Sequence, residues 1–257
     1  MENELKVALI QSHLLWENPE ANRKVFSEKI NSITSAIDLI ILPEMFTTGF
    51  TMKPENINVG EGDETLDWMK KEASKKQTAI MGSVVFKEGK RFYNRLFFVY
   101  PNGKVDKYDK KHTFTLAGEH KIYESGKSKT SVDFKGFKIC PLICYDLRFP
   151  VWARNTEDYD VLIYVANWPK PRIEAWDTLL KARAIENMSY CIGVNRIGLD
   201  GLGHEYSGHS AVYDVLGKRL VYSEKEEVLY GFLSKEHIKL NRDKLKFLED
   251  RDHFNLL

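Results

Sequence analysis

The chain has 257 residues, 43% of them hydrophobic and 29% charged, the balance of a soluble globular protein with a substantial core. Lys and Arg number 38 against 37 Asp and Glu, and the formal charge of +1 recommends neither a nucleic-acid partner nor an anionic membrane. Three cysteines argue against a disulfide framework and fit a reducing cytoplasm, while the acidic Met1-Glu-Asn-Glu4 start is unlike a signal peptide. No stretch approaches the roughly 20 apolar residues of a membrane span.

Taken in order, Leu5 to Gln11 predicts a short buried strand. Asn18-Pro19 supplies a cap and a first-turn proline. Phe26, Ile30, Ile33 and Ile37 then recur on one face of an amphipathic helix. Asp38 to Glu44 predicts a second buried strand ending at a carboxylate, which completes a βαβ unit with parallel neighbours. Asp63 to Lys76 reads as a helix. Thr78 to Phe86, Phe92 to Tyr100 and Val105 to Tyr108 read as strands joined by tight turns, so the sheet is expected to be mixed. Residues 109–128 form a long polar loop, a length that in compact domains usually carries function.

Ser131 to Phe134 and Phe137 to Ile143 predict a hairpin that leads into Cys144. Asp160 to Ala166 predicts a strand ending at Asn167-Trp168-Pro169, followed by a helix from about Ile173 to Met188 and a strand from Ser189 to Asn195. Residues 196–206 read as a Gly-rich loop. Strands are expected around Gly208–Asp214, Lys218–Tyr222 and Val228–Leu233, with a charged, helical tail from Ser234. No linker or composition shift divides residues 1–257, and a single domain is expected.

Three buried strands end in reactive or polar groups: Leu42-Pro-Glu44, Leu142-Ile-Cys144 and Val165-Ala-Asn167. Ligands collect at the carboxyl ends of parallel strands. Amide hydrolysis through a thioester needs an activated thiol, a proton for the departing amine and a stabilised oxyanion. A carboxylate, a lysine ammonium and a cysteine suffice for this without histidine. Taken alone, each residue has a plainer explanation. Cys144 could be a core thiol, Glu44 a helix cap or surface pair, Lys110 part of a solvated basic run, and Glu119 a surface acid. It is their joint order that favours chemistry.

In that order the residues resemble the nitrilase superfamily of carbon–nitrogen hydrolases over nearly the whole chain. Ile41-Leu-Pro-Glu-Met-Phe46 is similar to its glutamate motif, Asp109-Lys-Lys-His112 to its lysine motif, and Leu142-Ile-Cys-Tyr-Asp-Leu-Arg-Phe149 to its cysteine motif. The resemblance implies an α/β fold, a four-layer α-β-β-α sandwich with mixed sheets. It also implies Glu44 as general base, Lys110 as the oxyanion-side cation and Cys144 as nucleophile. Glu119, in Gly118-Glu-His-Lys-Ile-Tyr-Glu-Ser-Gly126, takes the part of a second active-site glutamate that orients Lys110 or the substrate amide. The backbone N–H of Tyr145 would be the other oxyanion donor.

Within the superfamily, Pro43-Glu-Met-Phe-Thr-Thr-Gly-Phe50, Ala117-Gly-Glu-His120 and Ala166-Asn-Trp-Pro169 look most like the bacterial omega-amidase branch. Its members remove the terminal amide of 2-oxoglutaramate and related dicarboxylic acid monoamides. That implies a small amide substrate, no cofactor or metal, and a homodimer or higher homo-oligomer. Trp168, Arg148 and Arg172 are the candidates for holding the substrate, the arginines at its distal acidic end.

Two rivals stand beside this reading: another nitrilase, carbamoyl hydrolase or aliphatic amidase of the superfamily, and a silent binding module on the same fold. Cys140 and Cys191 lie inside apolar strands and read as core thiols, and Arg183 with Glu186 reads as an internal ion pair. His204 and His209 are one residue too far apart for a metal-binding His-Glu-x-x-His helix. A papain-like pairing of Cys144 with His112 or His120 lacks that family's flanking residues.

Overall fold

The computed structural model describes residues 3–254. The chain opens with β1 (Glu4–Gln11) and α1 (Pro19–Ser32). Asn18 caps α1 by accepting a hydrogen bond from the Ala21 N–H at 3.2 Å, as the sequence predicts. The helix is shorter than its apolar spacing suggests. It stops among Ser32, Thr34 and Ser35, residues whose side chains compete for backbone partners, and Ile33 already has extended backbone. Ile33 and Ile37 still reach the core, but from the connecting loop.

There follow β2 (Leu39–Ile41), α2 (Glu61–Lys76), β3 (Ala79–Glu88), β4 (Arg91–Val99) and β5 (Val105–Asp109). β2 ends three residues before Glu44, which therefore sits in the turn beyond the strand. The 109–128 segment contains two single 3-10 turns, Thr115–Ala117 and Glu119–Lys121. The second half holds β6 (Val132–Phe134), β7 (Phe137–Ile143), α3 (Pro150–Ala153), β8 (Val161–Ala166), α4 (Ile173–Asn187) and β9 (Tyr190–Asn195). The Gly-rich stretch expected to be a loop is a small hairpin of β10 (Ile197–Leu199) and β11 (Glu205–Ser207). Its tip is tied by Asp200, whose carboxylate accepts from the N–H groups of Leu202 and His204, both at 2.9 Å. The chain closes with β12 (Ser210–Tyr213), β13 (Arg219–Ser223), β14 (Glu227–Ser234) and α5 (Lys235–Leu245).

Among the described residues, fourteen strands make two six-stranded mixed sheets and the hairpin. One sheet runs β14-β1-β2-β3-β4-β5, the other β6-β7-β8-β9-β12-β13. Read in that direction, both sheets follow one pairing pattern: antiparallel, parallel, parallel, antiparallel, antiparallel. Side-chain alternation sorts the layers. Val7, Leu9, Leu39, Ile41, Ala79 and Met81 turn toward the second sheet, while Ala8, Ile10, Ile40 and Ile80 turn toward Phe26 and Ile30 of α1 and Met69 and Ala73 of α2. On the far side, Trp176 and Leu180 of α4 press against Gly193 of β9, where no side chain could fit. The result is the expected four layers of helices, sheet, sheet and helices.

This arrangement sends the carboxyl ends of β2, β5, β7 and β8 to one edge of the sandwich, and Glu44, Lys110, Cys144 and Asn167 follow those ends. Gly126 fastens the segment after Lys110: its N–H donates to the Lys110 carbonyl at 2.8 Å, and an added Cβ would overlap the Asp109 carbonyl oxygen. A Gly126→Ala substitution is therefore expected to destabilise the fold by about 2–3 kcal/mol, lowering the thermal midpoint by about 5–10 °C in a calorimetric scan.

Candidate active site

Each predicted site residue reaches this edge by a different local device. Cys144 begins a five-residue 3-10 turn after β7 and adopts φ of +43°, a left-handed conformation that costs a residue with a Cβ about a kcal/mol or more. The turn persists because Asp146 anchors it. This buried carboxylate accepts from the Ile143 N–H at 3.0 Å, the Tyr108 hydroxyl at 2.8 Å and the His112 N–H at 2.9 Å, with His112 Nδ1 at 2.8 Å. His112 also stacks on Phe149, with ring centroids 3.6 Å apart. One side chain thus ties the cysteine segment to the lysine segment. Arg183 adds a bond to the Leu147 carbonyl at 2.7 Å while pairing with Glu186 at 2.8 Å, so the expected ion pair also braces the cysteine turn.

These contacts dispose of a cysteine–histidine pair: His112 is committed to Asp146 and Phe149, and His120 is exposed. His204 and His209 answer to different carboxylates, Asp200 and Asp177.

The ionic centre is buried. Lys110 Nζ lies 2.8 Å from Glu44 Oε1 and 2.9 Å from Glu119 Oε2, and none of the three side chains is more than 1% exposed. Burial alone would lower the lysine pKa, but the Glu119 and Glu44 carboxylates and the nearby Cys144 outweigh it and raise it above the ordinary range. The ammonium therefore stays charged at neutral pH. Burial raises the pKa of Glu119; Lys110 opposes the shift and Glu44 adds to it. The Phe114 N–H donates to Glu119, and the Tyr123 N–H bonds the Glu119 carbonyl at 2.8 Å.

Glu44 is gripped at both ends. Asn94 Nδ2 donates to Oε1 at 2.7 Å and the Asn167 N–H to Oε2 at 2.7 Å, while Asn167 Nδ2 bonds the Glu44 carbonyl at 2.6 Å. The Cys144 thiol faces Asn167, with Sγ 3.9 Å from its carbonyl oxygen. Burial, then Glu44, push this thiol well above the ordinary range, and only Lys110 opposes them. Burial also pushes Cys140 up to about 12 and raises Cys191. What separates Cys144 from these two core thiols is the presence of Glu44 and Lys110, together with an opening to a cavity.

That cavity, about 600 Å³, reaches Cys144, Lys110 and Asn167. Its walls include Phe50, Phe114, Tyr145, Trp168 and Tyr206, and the β10–β11 hairpin forms one side of the mouth. The two arginines singled out in the sequence also line it. Arg148 lies over the Trp168 ring at 4.9 Å and Arg172 over the Phe114 ring at 5.4 Å. Among the described residues, no carboxylate stands within ion-pair distance of either guanidinium. Trp168 itself is held by a bond from Nε1 to the Arg172 carbonyl at 2.8 Å.

Sequence reasoning missed Asn94, Asp146 as an anchor, Asn167 as a partner of Glu44, and the hairpin wall. The one available signal for Asn94 is a polar residue interrupting the apolar alternation of β4. Replacing Asp146 with alanine would strand several buried donors at once. Asp146→Ala is expected to cost on the order of 3 kcal/mol, measured as a fall in the urea midpoint, and to reduce thiol labelling at Cys144 per folded molecule.

Comparison with known proteins identifies the family. The carbon–nitrogen hydrolase family model matches residues 6–242. The chain is 42% identical to an omega-amidase YafV of Yersinia enterocolitica, over 98% of this chain and 99% of that one. It is 33% identical to a 2-oxoglutaramate amidase of Bacillus subtilis, over 86% and 87% of the two chains. A crystal structure of a CN-hydrolase superfamily protein from Xanthomonas campestris, with an arsenic adduct in its active site, superposes with a TM-score of 0.96. It is 37% identical and is covered over 100% of its length, against 99% of this chain. The sheet pattern, the buried carboxylate–lysine centre and these matches together place the chain in the carbon–nitrogen hydrolase family, a member of the nitrilase superfamily.

Proposed function

We propose that the protein is an omega-amidase that hydrolyses the terminal amide of 2-oxoglutaramate and related dicarboxylic acid monoamides to the acid and ammonia. The observation that carries this reading is the Lys110 ammonium clasped between Glu44 and Glu119, beside a thiol that opens onto a cavity walled by two arginines without carboxylate partners. The names of the relatives from Yersinia enterocolitica and Bacillus subtilis support the substrate class.

In this mechanism Cys144 Sγ attacks the amide carbon as its proton passes to Glu44. The carbonyl π electrons move onto oxygen, where the Lys110 ammonium and the Tyr145 N–H hold the charge. Collapse re-forms the carbonyl and breaks the C–N bond, and Glu44 returns the proton to the departing nitrogen, releasing ammonia. A water then loses its proton to Glu44 and attacks the thioester, and the thiol leaves reprotonated. A raised thiol pKa suits this sequence, because the proton is removed only as the S–C bond forms and no free thiolate waits in the resting enzyme. Glu119 keeps Lys110 placed. Arg148 and Arg172, standing on aromatic rings, hold the distal carboxylate and oxo group, and Trp168 shapes the wall between them.

The core shared by both sheets supports a single domain. We place the protein in the cytoplasm, where its three unpaired thiols stay reduced, and expect a homodimer or higher homo-oligomer on the strength of the family resemblance.

A coupled ammonia assay tests the reading. Cys144→Ala and Glu44→Gln are expected to lower kcat for 2-oxoglutaramate by at least about 10³-fold. Arg148→Ala and Arg172→Ala should raise KM for 2-oxoglutaramate while leaving a neutral aliphatic amide unaffected. Hydrolysis of a simple nitrile, a carbamoyl amino acid or an uncharged amide in preference to 2-oxoglutaramate would sink the substrate assignment. Absence of an acyl adduct on Cys144 in a rapid-quench mass spectrum would point to a silent binding module.

A further inference from the structure

Asn94, outside the predicted set, touches three of its members. Its Nδ2 donates to Glu44 Oε1 at 2.7 Å and to Glu119 Oε1 at 3.3 Å, and its backbone carbonyl accepts from the Lys110 N–H at 3.0 Å. It is 1% exposed, and its Oδ1 has no hydrogen-bond partner among the described residues. The orientation of the amide follows from its neighbours: two carboxylate oxygens face it, so only the NH₂ end can lie there. A buried amide oxygen is left without a partner so that the donor end can serve the carboxylates.

The consequence for Glu44 is an asymmetric carboxylate. Oε1 takes two donors, Asn94 at 2.7 Å and Lys110 at 2.8 Å. Oε2 takes one, the Asn167 N–H at 2.7 Å, on the same residue whose carbonyl lies 3.9 Å from Cys144 Sγ. The oxygen with spare accepting capacity is therefore Oε2, the one held by the residue whose carbonyl the thiol faces. We propose that Asn94 is a positioning residue that saturates Oε1, and so fixes Oε2 as the atom that takes the thiol proton and returns it to the leaving nitrogen. The inference rests on the reading of Glu44 as the base. The step is balanced as before: the S–H bond breaks, the O–H bond forms on Oε2, and the sulfur pair enters the new S–C bond.

The amide has a second effect, because its positive end softens the repulsion between Glu44 and Glu119.

Two isosteric variants separate this role from a packing role, with kcat normalised to the active-site concentration by thiol titration. In Asn94→Leu the donor is gone. A fall in kcat of about 100-fold is expected, with KM changing little. In Asn94→Asp the side chain donates only while protonated, so activity should decline as pH rises through a range where the parent enzyme is still gaining. Asn94→Ser, smaller and still a donor, should lie between parent and Asn94→Leu, and it serves as the test if either isostere fails to fold. Profiles that overlay the parent after normalisation, with only thermal stability lowered, would overturn the proposal. The parent and Glu44→Gln are assayed alongside: loss of the parent's ammonia release from 2-oxoglutaramate would count against the substrate reading, and a fully active Glu44→Gln against the base. Either result is distinct from a failure at Asn94.

Discussion

An ammonium shared by two carboxylates, all three closed off from water, is the constraint on which the rest of the site depends. Three charges in a low-dielectric interior persist only when each finds partners at close range. The fold meets that demand with donors from different elements: Asn94 from β4, the Asn167 N–H beyond β8 and the Phe114 N–H from the connecting segment. Each of these groups is far from the others in sequence. The partners of Glu44 are therefore complete only when the two sheets have docked, since the Asn167 N–H comes from the second.

The bracing around the cysteine answers a different demand. A left-handed residue with a Cβ must be over-determined by its surroundings, and Asp146 supplies most of that determination by gathering N–H and O–H donors from β5, β7 and the lysine segment. His112 belongs to this bracket rather than to the chemistry. The histidine of the lysine motif and the aspartate of the cysteine motif are two halves of one contact, which joins the segment of Lys110 to the turn of Cys144.

Much of this architecture could be read from residues alone, for identifiable reasons. Strand ends at Ile143 and Ala166 were legible because apolar runs stop abruptly at polar residues, and α1 announced itself through Asn18-Pro19. The end of α1 was not, because Ile33 and Ile37 keep the helical spacing while their backbone has already left the helix, and burial cannot tell the two apart. The β10–β11 hairpin hid behind its glycines and depends on Asp200 hydrogen bonds that leave no periodic trace. In the site, Glu44, Lys110, Glu119 and Cys144 were recognisable by their flanking motifs. Asn94 and Asp146 were not, since their importance lies in which partners the tertiary fold delivers to them.

The matching pairing order of the two sheets has a further implication. Strand for strand, β1, β2 and β3 in one half correspond to β7, β8 and β9 in the other, so the turn carrying Glu44 after β2 is the counterpart of the turn carrying Asn167 after β8. The two sheets share one pairing plan, and the two counterpart turns meet, where Asn167 holds Glu44 at both its carboxylate and its backbone. The framework is shared while the side chains are divided: Glu44, Lys110 and Glu119 come from the first half and its outgoing connection, Cys144 and its turn from the second. Neither half alone holds the whole cluster, which exists only at the seam between them.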